Sequence, residues 1–146
     1  APPLVKLSET ERLGRKGGSG FYRYENGKEA GPDESIYAEL GETVPKVRKP
    51  LLPETIRDRS ILVMVNEAAR ALEDGIVDSA GAVDLALITG TGFPPFRGGL
   101  LRYADDVGLP WILARLETLE REHGVRFQPS PLLRERAESG RNFHEV

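Results

Sequence analysis

One pattern dominates the chain from Pro53 onward: apolar residues recur at helical spacing, and most of these runs stop at a glycine. A glycine just past such a run is a strong stop signal, because it readily adopts the left-handed conformation that closes a helix. Strand signals are nearly absent after residue 25. The pattern therefore predicts an all-α fold, a helical bundle with an irregular N-terminal appendage. The predicted helices cover 54–74, 79–89, 98–107, 110–123 and 131–139.

The residues before this domain follow other patterns. Leucines at helical spacing between residues 4 and 13 predict a short helix that ends at Gly14. Three aromatic residues within 21–24, followed by Asn26-Gly27, predict an extended piece and a tight turn.

The stretch 25–53 is polar and rich in glycine and proline, which predicts a linker with little regular structure. The chain then divides into a first part at 1–24, this linker, and a helical domain at 54–146. The chain also begins without methionine and enters a helical pattern at once, so we interpret it as a piece of a longer protein.

Composition excludes several classes of function. The 146 residues carry a net charge of −3 with both signs interspersed, which argues against binding to nucleic acid or to a membrane surface. The absence of cysteine removes disulfides and thiolate metal sites, and it fits a cytoplasmic protein. The longest apolar run, 61–65, is far too short to span a bilayer, and no secretory signal opens the chain.

The stretch GFPPFRGG at 92–99 is unusual, because a solvated loop has no need of two phenylalanines and a helix interior would not tolerate its prolines and glycines. We interpret it as a shaped packing loop. Phe93 and Phe96 are expected to fill the core or an interface. Pro94-Pro95 stiffens the path, and Gly98-Gly99 allows a close approach.

Arg97 in this loop has two open interpretations. It pairs with a carboxylate, for which Asp84 and Glu67 are the candidates, or it is simply solvated as most arginines are.

A search for catalytic or ligand-binding residues finds no constellation. The glycine clusters at 14–20 and 90–92 lack the strand that phosphate-binding loops require before them. His123 lies in the last turn of a predicted helix, where a cation suits the helix dipole, and His144 lies in a predicted frayed tail. Acidic pairs such as Asp105-Asp106 are expected to be solvated. The sequence thus predicts no catalytic, cofactor-binding or metal-binding residue in this chain.

Two stretches resemble a known family. GRKGGSGFYRY at 14–24 resembles the segment that ends the C-terminal helical domain of 3-hydroxyacyl-CoA dehydrogenases. VNEAARALEDGIVDSAGAVDLALITGTGFPPFRGGLLRYADDVG at 65–108 resembles the second, degenerate copy of that domain, as in the multifunctional α subunit of fatty-acid oxidation complexes.

The resemblance implies that NAD is bound, and a His–Glu pair supplied, by a Rossmann domain outside this chain. A further substrate-contacting asparagine of the family, which precedes an arginine at the start of the long helix, is matched here by Asp58-Arg59. The lost amide suits a copy that no longer touches substrate.

Three functions stay open on the sequence alone. The first is a non-catalytic packing domain whose partners are the Rossmann domain and the first helical copy of the parent chain. The second is a free-standing helical interaction or regulatory domain, and the third is an active stand-alone enzyme. Because 61–65 is apolar around most of a helix circumference, we expect burial on more than one side. As a fragment, the chain is therefore a candidate homodimer.

Overall fold

The structure, a computed structural model, describes residues 2–41, 44 and 50–144. The chain forms two compact units, residues 1–50 and 51–146. The predicted linker therefore lies partly outside the described residues, as do the last two residues of the predicted domain.

Within its described residues, the first unit has two short helices and one hairpin. Helix α1 covers Pro2–Ser8, strands β1 and β2 cover Tyr22–Glu25 and Lys28–Pro32, and helix α2 covers Ile36–Leu40. The strands pair antiparallel with an irregularity in register near the start of β1. Asn26 and Gly27 connect them at φ values of 52° and 73°, as the two central residues of a tight hairpin turn require. The predicted extended piece and turn are confirmed.

Two predictions for this unit are wrong. The first helix ends at Ser8 rather than Gly14, because hydroxyl side chains bond to its last carbonyls: Ser8 Oγ donates to Val5 O at 2.6 Å and Thr10 Oγ1 to Leu7 O at 2.8 Å. The stretch 25–53 was expected to have little regular structure, yet it contains β2 and α2.

Arg12 explains why α2 forms in this polar stretch. Its guanidinium donates to Asp33 Oδ2 at 2.8 Å, to Glu39 Oε1 at 2.7 Å and to Ser35 Oγ at 2.7 Å. These contacts hold α2 and the residues before it against the stretch that follows α1. Ile36 and Leu40, the first and last residues of α2, are buried.

The second unit is the predicted helical domain. Helices α3, α4, α5, α6 and α7 cover Pro53–Glu73, Ala80–Thr91, Leu100–Val107, Leu109–His123 and Pro131–Ser139. Each lies within two residues of its predicted bounds, so the all-α fold class is confirmed. Two short 3₁₀ turns, Pro95–Arg97 and Val125–Phe127, were not predicted. In the described residues no helix has the length and apolar character needed to cross a membrane.

Side-chain caps fix two of these helix starts. Ser79 accepts from Ala82 N at 3.2 Å at the start of α4, and Ser130 accepts from Leu133 N at 3.2 Å at the start of α7. A single apolar core then joins the five helices. Its buried members are Leu62, Val65, Ala68, Ala69, Ala80, Val83, Phe93, Leu100, Leu101, Ala104, Leu109, Ile112, Leu116, Leu119, Phe127, Leu133, Ala137 and Phe143.

Candidate functional site

The GFPPFRGG loop joins α4 to α5 and divides its two phenylalanines between interior and surface. Phe93 is buried and meets the ring of Tyr103 edge-on, with 6.5 Å between centroids. Phe96, in contrast, is 82% exposed. Phe96 therefore does not fill the core, because Pro95–Arg97 forms a 3₁₀ turn in which it lies on the outside of the unit; the alternative, that it lies at an interface, stays a prediction.

The expected carboxylate partners of Arg97 are also wrong. The guanidinium lies over the rings of Phe96 and Tyr103, at 5.6 and 5.8 Å from their centroids. Glu67 pairs instead with Arg70 at 3.3 Å, one helical turn away. The Asp84 carboxylate instead accepts hydrogen bonds from backbone N–H groups at the start of α5. Arg97 thus contributes cation–π contacts to the loop and no ion pair with either predicted acid.

Asp84 supplies the physical reason for Gly99, the last glycine of the loop. Its carboxylate accepts from Leu101 N at 2.7 Å and from Arg102 N at 3.1 Å, so it caps the N-terminus of α5 from another helix. A Cβ on Gly99, whose φ is +120°, would lie 2.2 Å from both Cβ and Cγ of Asp84. The predicted close approach is confirmed, and what approaches the loop backbone is the Asp84 side chain.

Asp84 also belongs to a cluster that the sequence analysis missed. His144 Nε2 lies 3.1 Å from Asp84 Oδ2, and His144 Nδ1 lies 2.9 Å from Asp105 Oδ2. Asp105 further accepts from Phe143 N at 2.8 Å and from His144 N at 3.0 Å. His144 therefore does not lie in a frayed tail, and Asp105, with a side chain 3% exposed, is not solvated. Both expectations are wrong.

The geometry of this cluster favours a structural role over a chemical one. A general base needs a ring nitrogen free to reach a substrate proton. Here each ring nitrogen of His144 already faces a carboxylate oxygen, and a carboxylate can only accept. The two acids also contact different ring nitrogens, so no common point for a metal ion results. A search of the described residues likewise finds no group of three or more such side chains that could hold a metal.

Asp58 and Arg59 lie at the start of α3 in different surroundings. The Asp58 side chain, 8% exposed, accepts from Arg57 Nη2 at 2.9 Å and from Arg115 Nε at 3.2 Å. The hydrogen bond that Arg57 donates to Asp58, followed by the negative charge of Asp58, raises the pKa of Arg57. Asp58 thus ties α3 to α6. Arg59 is half-buried and has no carboxylate partner among the described residues.

A second buried polar group connects α3 to the start of α7. Asn66, fully buried, donates from Nδ2 to Gln128 O at 2.8 Å and accepts at Oδ1 from Ser130 N at 2.7 Å. Arg70 donates to the same Gln128 carbonyl at 2.7 Å. The sequence signal for this contact was an asparagine within the most apolar stretch of the long helix, where a polar group needs a partner.

An apolar groove of about 370 Å³ lies between α3 and α4. Of the apolar run 61–65 in α3, Leu62 and Val65 are buried in the core, while Ile61, Val63 and Met64 are only half-buried. The groove has almost no polar lining. Its residues are Val63, Met64, Glu67, Ala68, Ala71, Val77, Val83, Ala86 and Leu87.

Comparison with known proteins gives a consistent result. Residues 56–144 match the family described as 3-hydroxyacyl-CoA dehydrogenase, C-terminal domain. The chain is 41% identical over 141 residues to the fatty acid oxidation complex subunit alpha of Shewanella loihica, covering 96% of this chain and 20% of that protein. With the Psychrobacter cryohalolentis protein of the same name it is 39% identical over 145 residues, covering 97% and 20%.

The chain therefore spans about a fifth of the length of these relatives. Among solved structures, M. tuberculosis FadB2 shares the fold, with a TM-score of 0.54 and 24% identity over 80% of this chain and 45% of that one.

Proposed function

Because the chain belongs to the 3-hydroxyacyl-CoA dehydrogenase C-terminal domain family, we propose that it is the helical part of a fatty-acid oxidation complex α subunit and acts there as a non-catalytic packing domain. The observation that carries this proposal is the match itself: about 40% identity extends over nearly the whole chain, although it spans only a fifth of each relative. The parent protein then oxidises 3-hydroxyacyl-CoA with NAD, in the bacterial cytoplasm, through domains outside this chain.

The acidic and histidine side chains support the non-catalytic part of the proposal. Asp84 and Asp105 each accept hydrogen bonds from backbone N–H groups and contact the His144 ring, and Asp58 forms ion pairs with two arginines. Both oxygens of each of these carboxylates already accept hydrogen bonds from the unit itself, so these buried groups hold elements together. The family's substrate-contacting asparagine is replaced here by Asp58, whose carboxylate joins α3 to α6 instead.

The groove between α3 and α4 supports the packing role. An apolar concave surface exposed on a unit of this size usually marks a contact with another surface. We assign it to the preceding helical domain of the parent chain, whose end the stretch 1–24 resembles, and take 54–146 as the packing domain. Phe96, exposed at the tip of its loop, is a second candidate contact. Self-association of the isolated chain through the groove would follow from the loss of that partner.

The catalytic part is tested on the isolated chain. Calorimetry with NAD is expected to show no binding tighter than a Kd of about 100 μM, equivalent to about −5.5 kcal/mol. A spectrophotometric assay with a 3-hydroxyacyl-CoA is expected to show no NAD reduction. Turnover by this chain alone would overturn the proposal in favour of a stand-alone enzyme.

The packing part is tested in a chimera of the Shewanella loihica subunit that carries this chain in place of the matching segment. We expect the chimera to fold and to oxidise 3-hydroxyacyl-CoA, and Met64→Lys in the groove to reduce the yield of folded, active protein. Leu85→Lys is the matched control, since Leu85 is 64% exposed on α4 and does not line the groove.

The isolated chain gives an independent measurement. It is expected to bind a hydrophobic dye, less so after Met64→Lys, and to self-associate in light scattering at high concentration. A monomeric chain that binds no dye, together with a chimera insensitive to Met64→Lys, would favour a free-standing interaction domain instead.

A further inference from the structure

A second groove, on another face of α3, combines apolar walls with two arginines. It encloses about 370 Å³ between the first half of α3 and the 3₁₀ turn Val125–Phe127. This volume lies in the lower part of the range for small-molecule sites, which are mostly apolar with a few polar groups. The lining residues are Leu51, Ile56, Arg59, Ser60, Val63, Arg126 and Phe127.

The two arginines are not neutralised within the unit. Neither Arg59 nor Arg126 has a carboxylate partner in the part of the chain that the structure describes. Asp58, next in sequence to Arg59, is already bound by other arginines. The residues one helical turn from Arg59, which could pair with it along α3, are Thr55, Ile56, Leu62 and Val63, and none is acidic.

Arg126 is held at the groove by an aromatic contact. Its guanidinium lies over the ring of Phe127 at 5.5 Å from the centroid, while the Phe127 side chain is buried in the core. The guanidinium donates no hydrogen bond to any described residue, so its N–H donors are available to an oxyanion. Arg59 approaches the same groove from α3, where it is half-buried.

We propose that this groove is a binding site for a small amphipathic phosphate: a phosphate monoester head held by Arg59 and Arg126, with an apolar chain lying on Leu51 and Ile56. Charge complementarity selects the head, because two guanidinium groups carry two positive charges and a phosphate monoester carries about −1.5 to −2 near neutral pH. The apolar chain of the ligand is favoured because Leu51 and Ile56, which are 53% and 52% exposed on the groove wall, would be covered by it.

The site is separate from the packing surface proposed above. The two grooves share only Val63 in their linings, so variants of the arginines leave the α3–α4 groove intact. Loss of the packing role would not remove phosphate binding, and the absence of phosphate binding would leave the packing role untouched.

The test is calorimetry on the full chain at pH 8 and low salt, with octyl phosphate as the probe. We expect saturable binding of one molecule per chain. Arg59→Gln and Arg126→Gln are each expected to weaken the affinity about tenfold, which corresponds to about 1.4 kcal/mol. Arg121→Gln, at an exposed arginine of α6 that does not line the groove, is the matched control and is expected to change nothing.

Three further probes separate head from chain. Octyl glucoside lacks the charge and inorganic phosphate lacks the chain, so each is expected to bind at least about tenfold more weakly than octyl phosphate. Octanoate carries a single charge, so its affinity is expected to lie between that of these two probes and that of octyl phosphate. Equal binding of octyl glucoside and octyl phosphate would overturn the proposal. So would an affinity unaffected by both arginine variants when circular dichroism shows them folded.

Discussion

Replacing Gly99 by alanine tests the central packing feature of the second unit. The new Cβ would lie 2.2 Å from Cβ and Cγ of Asp84 and 2.6 Å from its Oδ1, all far inside contact distance. The backbone at Gly99 also has φ +120°, which L side chains rarely adopt. The Asp84 side chain cannot yield freely, because it is held by Leu101 N, Arg102 N and His144.

The magnitude follows from two separate costs. An alanine at this φ costs about 1 to 3 kcal/mol of backbone strain. Moving the packed carboxylate costs about 1 to 3 kcal/mol as overpacking, or about 1 kcal/mol as a lost helix cap if Asp84 swings away. We therefore expect Gly99→Ala to lower the free energy of unfolding of the second unit by about 4 kcal/mol. For a domain of about a hundred residues this corresponds to a Tm lower by about 15 to 30 °C.

Urea unfolding followed by tryptophan fluorescence measures this loss in the second unit alone, since the single tryptophan, Trp111, lies in α6. Gly90→Ala is the control: it lies in α4, and its added Cβ meets no atom within 4 Å. That variant is expected to be neutral or to gain up to about 1 kcal/mol from helix propensity. A Gly99→Ala protein within about 0.5 kcal/mol of the wild type, where ordinary surface changes fall, would refute the reasoning.

Four further outcomes follow from the same contacts. His144→Ala leaves two buried carboxylates without their shared partner and is expected to lower the free energy of unfolding in urea by about 2 kcal/mol. The control is His123→Ala: His123 is half-exposed and lies 3.8 Å from Glu122, so this change is expected to alter the free energy of unfolding by less than about 0.5 kcal/mol. Asn66→Ala removes two buried hydrogen bonds and is expected to lower the free energy of unfolding by about 2 kcal/mol. It is also expected to raise the hydrogen-exchange rate of the Ser130 backbone amide, which donates to Asn66. Asp58→Asn keeps the size but loses the charge shared with two arginines, so unfolding is expected to be easier by about 1 kcal/mol, and Asp58→Ala to cost more. In the first unit, hydrogen bonds from the Ser35 hydroxyl and then from Arg12 hold the pKa of Asp33 below its ordinary 3.8. The stability that this carboxylate contributes is therefore present above pH 3.8 and is lost as the pH falls from that value through the lowered pKa. NMR of the Arg12 guanidinium resonances measures this loss, and the pH dependence is expected to be absent in Asp33→Asn.

The helices could be predicted because their signals are local. Periodicity places α3 and α6, and Ser130-Pro131 together with Gly140 fixes both ends of α7. The same local reasoning placed two glycines of GFPPFRGG at a close approach but could not say what approaches. That partner, Asp84, lies on the preceding helix, and only the turn between α4 and α5 brings it there.

The parts that sequence reasoning missed depend on contacts between distant residues. His144 lies beyond the last predicted helix and carries no periodic signal, so a frayed tail was the natural expectation. Its actual position is decided by Asp84 and Asp105, on two different helices. Likewise, α2 forms in a polar stretch because Arg12, more than twenty residues earlier, binds its start and its last turn.

The bridge between Asp105 and His144 also sets an order of events during synthesis. The two residues are 39 positions apart, so a ribosome adding about 5 to 20 residues per second needs about 2 to 8 seconds to pass from one to the other. For nearly all of that interval the residues of α4 and α5 have been added, yet Asp84 and Asp105 lack the imidazole that later covers them. We therefore expect these two acids to stay hydrated until His144 has left the ribosome, since a buried charge needs a partner.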